Sequence, residues 1–479
     1  MRVKDLTQQS IAHHILAMAG PAAITMLVAA AHQVVTLYFV SGLGVDAVAA
    51  VSAAGNAAFI VGALGQILAI GTVALVSQSA GKKDFADISL VLTQTLALAL
   101  VCAVGTAAIV HELAPLYMAT LSEDESVVES GVTFLRWMAP GFAALLPMTV
   151  LSATFRGIGV ISAPSMIYTF TIVMDVALAA VLIPGRGFIP SLGIEGAALA
   201  STLSYFMGLI WMLARFVRTE RHIPILRRHF VPRFATWRRV FSLGLPAAAE
   251  LALMFLSVSV VYLVIRDQGA SAQAGFGIGF RVLQVLLLPG LALSFAAAPI
   301  AGQNFGARNA ARVREVFRTT ATLSSIVMVL VTIVVLLQPR ILLLPFETDA
   351  ASAETATVFL QLMSWTLVAQ GLVYTCAFMF QALGNTVPAL LSAMVRFVVF
   401  SAPAVWLSYQ AGFHAEQVWY LLSASIAVQA VLSLWLLQIE FKRKLLPLAA
   451  QSNNPTATGD SLASREPPSR RHVDPTQTL

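Results

Sequence analysis

Twelve stretches of mostly apolar residues, most of them 20 residues or longer, recur along this chain with short polar breaks between them. They lie near residues 15–41, 51–77, 89–110, 131–153, 164–183, 196–214, 241–266, 274–302, 319–338, 358–381, 388–410 and 417–439. A helix rises about 1.5 Å per residue, so about 20 residues cross the roughly 30 Å hydrocarbon core of a bilayer. Backbone groups in lipid must be bonded within the segment, so these runs are helices rather than open strands. Composition agrees: 11% of the residues are charged, against about 25% in soluble domains, too few to cover a water-exposed surface. The fold expected is an all-α integral membrane protein of about 12 transmembrane helices.

The first run follows Arg2 and Lys4, exceeds the apolar region of a signal peptide and lacks a small-residue cleavage site, so it reads as the first span. The two cysteines, Cys102 and Cys376, fall inside spans, which supports neither a disulfide framework nor a thiolate metal site. The net charge of +6 is a topology signal rather than a nucleic-acid footprint. With an even number of spans both ends share one side, and 23 of the 29 Lys and Arg residues fall there. Positive residues accumulate on the cytoplasmic side, so both termini are expected in the cytoplasm, the chain in the cell inner membrane and lipid as its surroundings.

Sliding the sequence against itself by 225 positions superimposes Pro21 on Pro246, Gly44 on Gly269, Gln78 on Gln303, Gly81 on Gly306, Phe155 on Phe380 and Gly159 on Gly384. One ungapped offset at equivalent topological points marks an internal repeat. Each copy holds six spans, so the copies have the same orientation and are expected to be parallel repeats about an axis along the membrane normal. The organisation read from this is an N-terminal six-helix lobe over 1–214, a basic cytoplasmic linker over 215–240, a C-terminal lobe over 241–440 and a disordered tail over 441–479. Gln78 and Gln303 are placed to bond backbone groups freed at the tight Gly and Pro turns on the inner side.

Specific motifs then point to a family. The first half reads GLGVDAVAAVSAAGNAAFI from Gly42, VSQSAGKKD from Val76, FRGIGVISAP from Phe155 and LIPGRGFIPSLGIEGAA from Leu182. The second reads GFGIGFRVLQVLLLPG from Gly275, PIAGQNFGARN from Pro299 and FQALGNTVPALL from Phe380. In order and spacing, from about Gly20 to Lys444, the set resembles the multidrug and toxic compound extrusion (MATE) family. The resemblance implies two lobes around a cleft that opens alternately to either side, and efflux of amphipathic small molecules coupled to proton or sodium influx, by a monomer with no other cofactor.

Charged residues inside spans are expensive and are functional candidates by default. Asp175, Glu250, Arg281 and Arg396 qualify, with His32, Gln284, Gln370 and Tyr374 as polar companions. A carboxyl group removed from water can be held neutral, so it can accept a proton on one side and release it on the other. The resemblance puts the first-helix acid of many members at Thr36, a fifth-helix polar pair at Asp175 and Ala179, and the glutamate of another branch at Met254. Coupling is therefore assigned to Asp175 with His32, beside Thr36, against the alternative of a helix-packing carboxylate. Glu250 is assigned to cationic substrates, with Gln284 and Tyr374 as further substrate-binding candidates. Arg281 and Arg396 would neutralise these acids or hold an anionic substrate. Met174, Met254, Phe39 and Phe59 are candidate walls of an adaptable pocket.

Two other functions remain open at this point: a flippase or exporter of a lipid-linked or metabolite substrate, and an intramembrane enzyme. The chain has no phosphate loop, no GxSxG and no metal-ligand spacing, so a nucleotide-driven pump or a hydrolase has no motif to rest on.

Overall fold

The computed structural model describes residues 5–185, 190–346 and 349–452. Among the described residues thirteen α-helices follow one another: α1 (Ile11–Ser41), α2 (Val45–Gly81), α3 (Phe85–Leu121), α4 (Glu125–Gly157), α5 (Ser162–Leu182), α6 (Gly193–Thr219), α7 (Phe234–Val264), α8 (Ala270–Gly306), α9 (Ala310–Leu337), α10 (Ala350–Ser364), α11 (Leu367–Ala382), α12 (Val387–Ser408) and α13 (Ala415–Ser452). Among the described residues eleven helices are long and apolar enough to cross a membrane, and α10 with α11 forms a twelfth span bent by 58°. The run over 358–381, expected as one helix, is broken there without a proline. Ser364 and Thr366 turn their hydroxyls onto the carbonyls of Gln361 and Met363, and Thr332 of α9 donates to the Ser364 carbonyl at 2.9 Å. The hydroxyls satisfy what the break frees.

Two other boundaries differ from expectation. Residues 441–452, expected in the tail, continue α13, because Phe441 and Leu445 are buried on the C-terminal core and Lys444 pairs with Glu440 at 2.9 Å. The remainder of the expected tail, 453–479, lies outside the described residues. The linker is also shorter: α6 runs to Thr219 and α7 starts at Phe234. The residues between are tied to α3. Gln94 accepts the Arg233 N–H at 2.8 Å and donates to the Val231 carbonyl at 2.7 Å, and Trp237 donates its indole N–H to the Gln94 carbonyl.

We call the end that carries the linker and both ends of the described chain the basic face. Here the repeat becomes physical. Gln78 donates to the carbonyl of Ala382, the last residue of α11, at 2.9 Å, and Gln303 donates to the carbonyl of Gly157, the last residue of α4, at 3.1 Å. The two bonds are the same contact read from either copy. The partner glycines explain the closeness: a Cβ on Gly81 would stand 2.9 Å from the Gln303 Cα, and one on Gly306 would stand 3.0 Å from the Gln78 Cα. Only residues without a side chain let α2 and α8 cross this tightly. The side-chain hydrogen bonds that join the two halves gather at this face, including Asn304 to the Leu6 carbonyl and Gln381 to the Ile70 carbonyl.

The halves also exchange the basic ends of their first helices. Leu6, Ile11, Ile15, Met18 and Ala22 are buried in the core of the second half, with α8, α9, α11 and α13. Val240 and Leu243 of α7 are buried in the core of the first. Packing therefore crosses the 214/241 boundary in both directions.

Candidate functional site

On α5 the buried positions Ile167, Thr171, Asp175, Ala179 and Leu182 fall on one stripe at helical spacing. That stripe faces α1 and α6, so Asp175 points between helices instead of toward lipid. His32 of α1 meets it, with Nε2 and Oδ2 2.5 Å apart, and Ser201 of α6 donates its hydroxyl to the other carboxyl oxygen at 3.0 Å. Thr36, one turn along α1, stands 3.3 Å from the same His32 nitrogen. The Asp175 side chain is 10% exposed and that of His32 22%, so the imidazole stands between the carboxyl group and the space outside the helix pair. All three residues assigned to coupling converge here. Sequence reasoning missed Ser201, which is one of several small hydroxyls in α6 and carries no pattern of its own.

This arrangement suits the passage of a single proton. The imidazole and the carboxyl group are close enough to share a proton, and moving α1 against α5 would break that contact. The 225-residue offset places Ser257, Val261 and Phe400 at the equivalents of His32, Thr36 and Asp175, so the second half has no counterpart.

The second half has instead a cavity of about 200 Å³ between α7, α11 and α12, lined by Glu250, Met254, Gln370, Tyr374, Arg396 and Gln429 among others. Four of the residues assigned to substrate, Glu250, Met254, Tyr374 and Arg396, lie in this one wall. Arg396 donates to the Gln429 side chain at 3.2 Å and is within electrostatic reach of Glu250 and Tyr374. No ion pair within 4 Å joins Glu250 and Arg396 among the described residues.

Other candidates lie elsewhere. Arg281 and Gln284 line neither this cavity nor the one described next. On α8 the buried set Phe276, Gly279, Val282 and Leu283 faces the core, which leaves Arg281 and Gln284 on the exposed side. Arg281 therefore neutralises neither acid. Phe59 packs edge-on against Phe255 of α7 with ring centres 4.4 Å apart, and Phe39 stands against Tyr38. Met174 is half-buried beside the Asp175 stripe. None of these three lines the Glu250 cavity or the cavity around Arg156.

A second cavity of about 220 Å³ lies in the first half, lined by Thr25, Gln66, Thr149, Arg156, Tyr168 and Phe295 among others. At the 225-residue offset its walls repeat those of the first: Thr25 for Glu250, Thr149 for Tyr374, Arg156 for Gln381 and Phe295 for Ile70. The two cavities are one site built twice with different chemistry, and Gln66 lines both.

Comparison with known proteins agrees with this architecture. The family model described as MatE matches residues 21–181 and 246–407, two blocks that coincide with the two copies. The chain is 24% identical over 383 residues to the multidrug export protein MepA of Staphylococcus haemolyticus, covering 78% of this chain and 82% of that one. Among solved structures, a MATE transporter in the bent conformation superposes with a TM-score of 0.86 at 19% identity, over 94% of this chain and 99% of the other. An outward-facing multidrug resistance MATE transporter of the MOP superfamily gives 0.84 at 19% identity, over 91% and 97%.

Proposed function

Because this chain belongs to the MatE family of multi-pass membrane exporters, we propose that its efflux of small molecules is driven by protons passing through His32 and Asp175, with amphipathic cations held at Glu250. The observation that carries the coupling assignment is the His32 to Asp175 contact, a proton-sharing pair between two helices of one lobe. A proton fits it better than sodium does. One Asp175 oxygen is engaged by the imidazole and the other by Ser201, whereas a hard cation needs several free oxygens around it.

Glu250 opens into an otherwise mostly apolar cavity and has no hydrogen-bond partner among the described residues, which suits the charged end of an amphipathic cation. Placement of Lys and Arg supports a cytoplasmic basic face and a location in the cell inner membrane. It acts as a monomer there, since each copy of the repeat already supplies the partner surface that the other needs. Membership of a transporter family sets aside the enzyme reading.

The test is Asp175→Asn in proteoliposomes. The variant should lose uphill transport of a cationic dye driven by a proton gradient while still exchanging dye down its own gradient. Undiminished proton-driven transport, or transport that follows a sodium gradient alone, would remove the pair from the mechanism.

A further inference from the structure

Arg156 is the last but one residue of α4, and its guanidinium lies over the Phe295 ring of α8, 4.2 Å from the centroid. Phe295 is 11 residues before the end of α8, so the charge sits roughly 16 Å inside that helix end at 1.5 Å per residue. Among the described residues none of its nitrogens makes a hydrogen bond, and its Nε is fully buried. No Asp or Glu lines the cavity; its polar wall consists of hydroxyls and the Gln66 amide. Several of those hydroxyls already face helix carbonyls, as Thr25 does with Pro21 and Thr149 with Leu145.

A buried guanidinium with five donors and no counter-charge is costly, and packing alone does not demand it. The equivalent position in the second half is Gln381, which satisfies the same crossing by donating to the Ile70 carbonyl at 3.3 Å. The same fold thus accepts a neutral amide at this point, and the first half carries a cation instead. Where the cavity of the second half places Glu250, this one places Thr25. That cavity holds both an acid and a base, Glu250 and Arg396, whereas this one holds Arg156 without an acid, and the two meet at Gln66.

We propose that the cavity around Arg156 is a subsite for an oxyanionic group, such as a carboxylate, carried by an amphipathic substrate. A planar guanidinium suits bidentate binding of such a group. The ring of Phe295 fixes the fork from one face and leaves its edge toward the cavity. Substrates with an acidic end are thereby accepted as well as cations, and a compound with both charges can engage both cavities at once. The inference rests on the exporter reading but not on proton coupling.

The experiment is equilibrium binding to the purified full chain in detergent, which needs no ion gradient. The probes are a carboxylate-bearing rhodamine and its methyl ester, followed by fluorescence polarisation. Arg156→Gln, which installs the residue of the matched position, should weaken binding of the carboxylate dye about tenfold or more and leave the ester within about twofold. Arg156→Lys should retain the preference for the carboxylate in part. Equal loss for both dyes would show a general collapse of the site, and unchanged carboxylate binding would show that Arg156 meets no anion; either result overturns the proposal. If the proton-coupling assignment fails, this binding difference is untouched.

Discussion

The reciprocal glutamines offer the most direct test of how the basic face stays shut. Replacing both Gln78 and Gln303 by Leu removes three inter-half hydrogen bonds, those to the Ala382 and Gly157 carbonyls and the one Gln303 accepts from the Leu6 N–H. When this face opens, water takes up those groups, so each bond is worth about 1 kcal/mol net to the closed arrangement. Three bonds make about 3 kcal/mol, or roughly 150-fold in the ratio of closed to open. The assay is alkylation of a single reporter cysteine at Ala301, which is fully buried on α8 near the crossing, in a background where Cys102 and Cys376 are replaced. If opening limits labelling, the double variant should react roughly 150-fold faster, Gln78→Leu about fivefold faster and Gln303→Leu roughly 30-fold faster. A rate within threefold of the parent for the double variant would refute the view that these bonds hold the face closed.

Two further outcomes follow from the site and the linker. Glu250→Gln should raise the half-saturating concentration of cationic dyes about tenfold and leave neutral substrates unchanged, measured as initial rates of dye efflux. Glu220, just beyond α6, is buried, neither carboxyl oxygen is hydrogen-bonded among the described residues, and its ion-pair contact is His222 at 3.6 Å. Burial holds its carboxyl above the usual range, with His222 opposing. A raised carboxyl favours the folded protein when protonated and costs stability once ionised. Glu220→Gln should therefore melt at a higher temperature than the parent at neutral pH, with the difference closing as pH falls through the carboxylate range.

The parts legible in the sequence are those with a strong local signal. Apolar runs of spanning length located every span, and charged residues within them singled out Asp175 and Glu250, because few such residues survive in lipid. The repeated Gln78, Gly81, Gln303 and Gly306 were visible as a shared offset, and the structure shows that they touch one another. Contacts between distant segments were less legible. His32 and Asp175 are 143 residues apart; the repeat puts their helices into one lobe, but no local signal says that the two side chains touch. Hydroxyls alone break α10 from α11, without Pro or Gly to announce it. Arg156 read as one more basic residue near the inner surface, because nothing in the sequence says that its side chain turns inward under Phe295.

The exchange of helix ends also bears on how the protein is made. The backbone N–H of Leu6 bonds to Gln303, 297 residues later. At about 5–20 residues per second, a ribosome needs roughly 15 to 60 s to supply that partner. Throughout this interval the start of α1 lacks its final neighbours on α8, α9, α11 and α13. The first lobe therefore cannot leave the insertion machinery as a finished unit. A nascent chain stopped after α6 would present an unfilled seam to membrane quality control, and assembly of the exporter completes only when the second copy of the repeat arrives to receive the first.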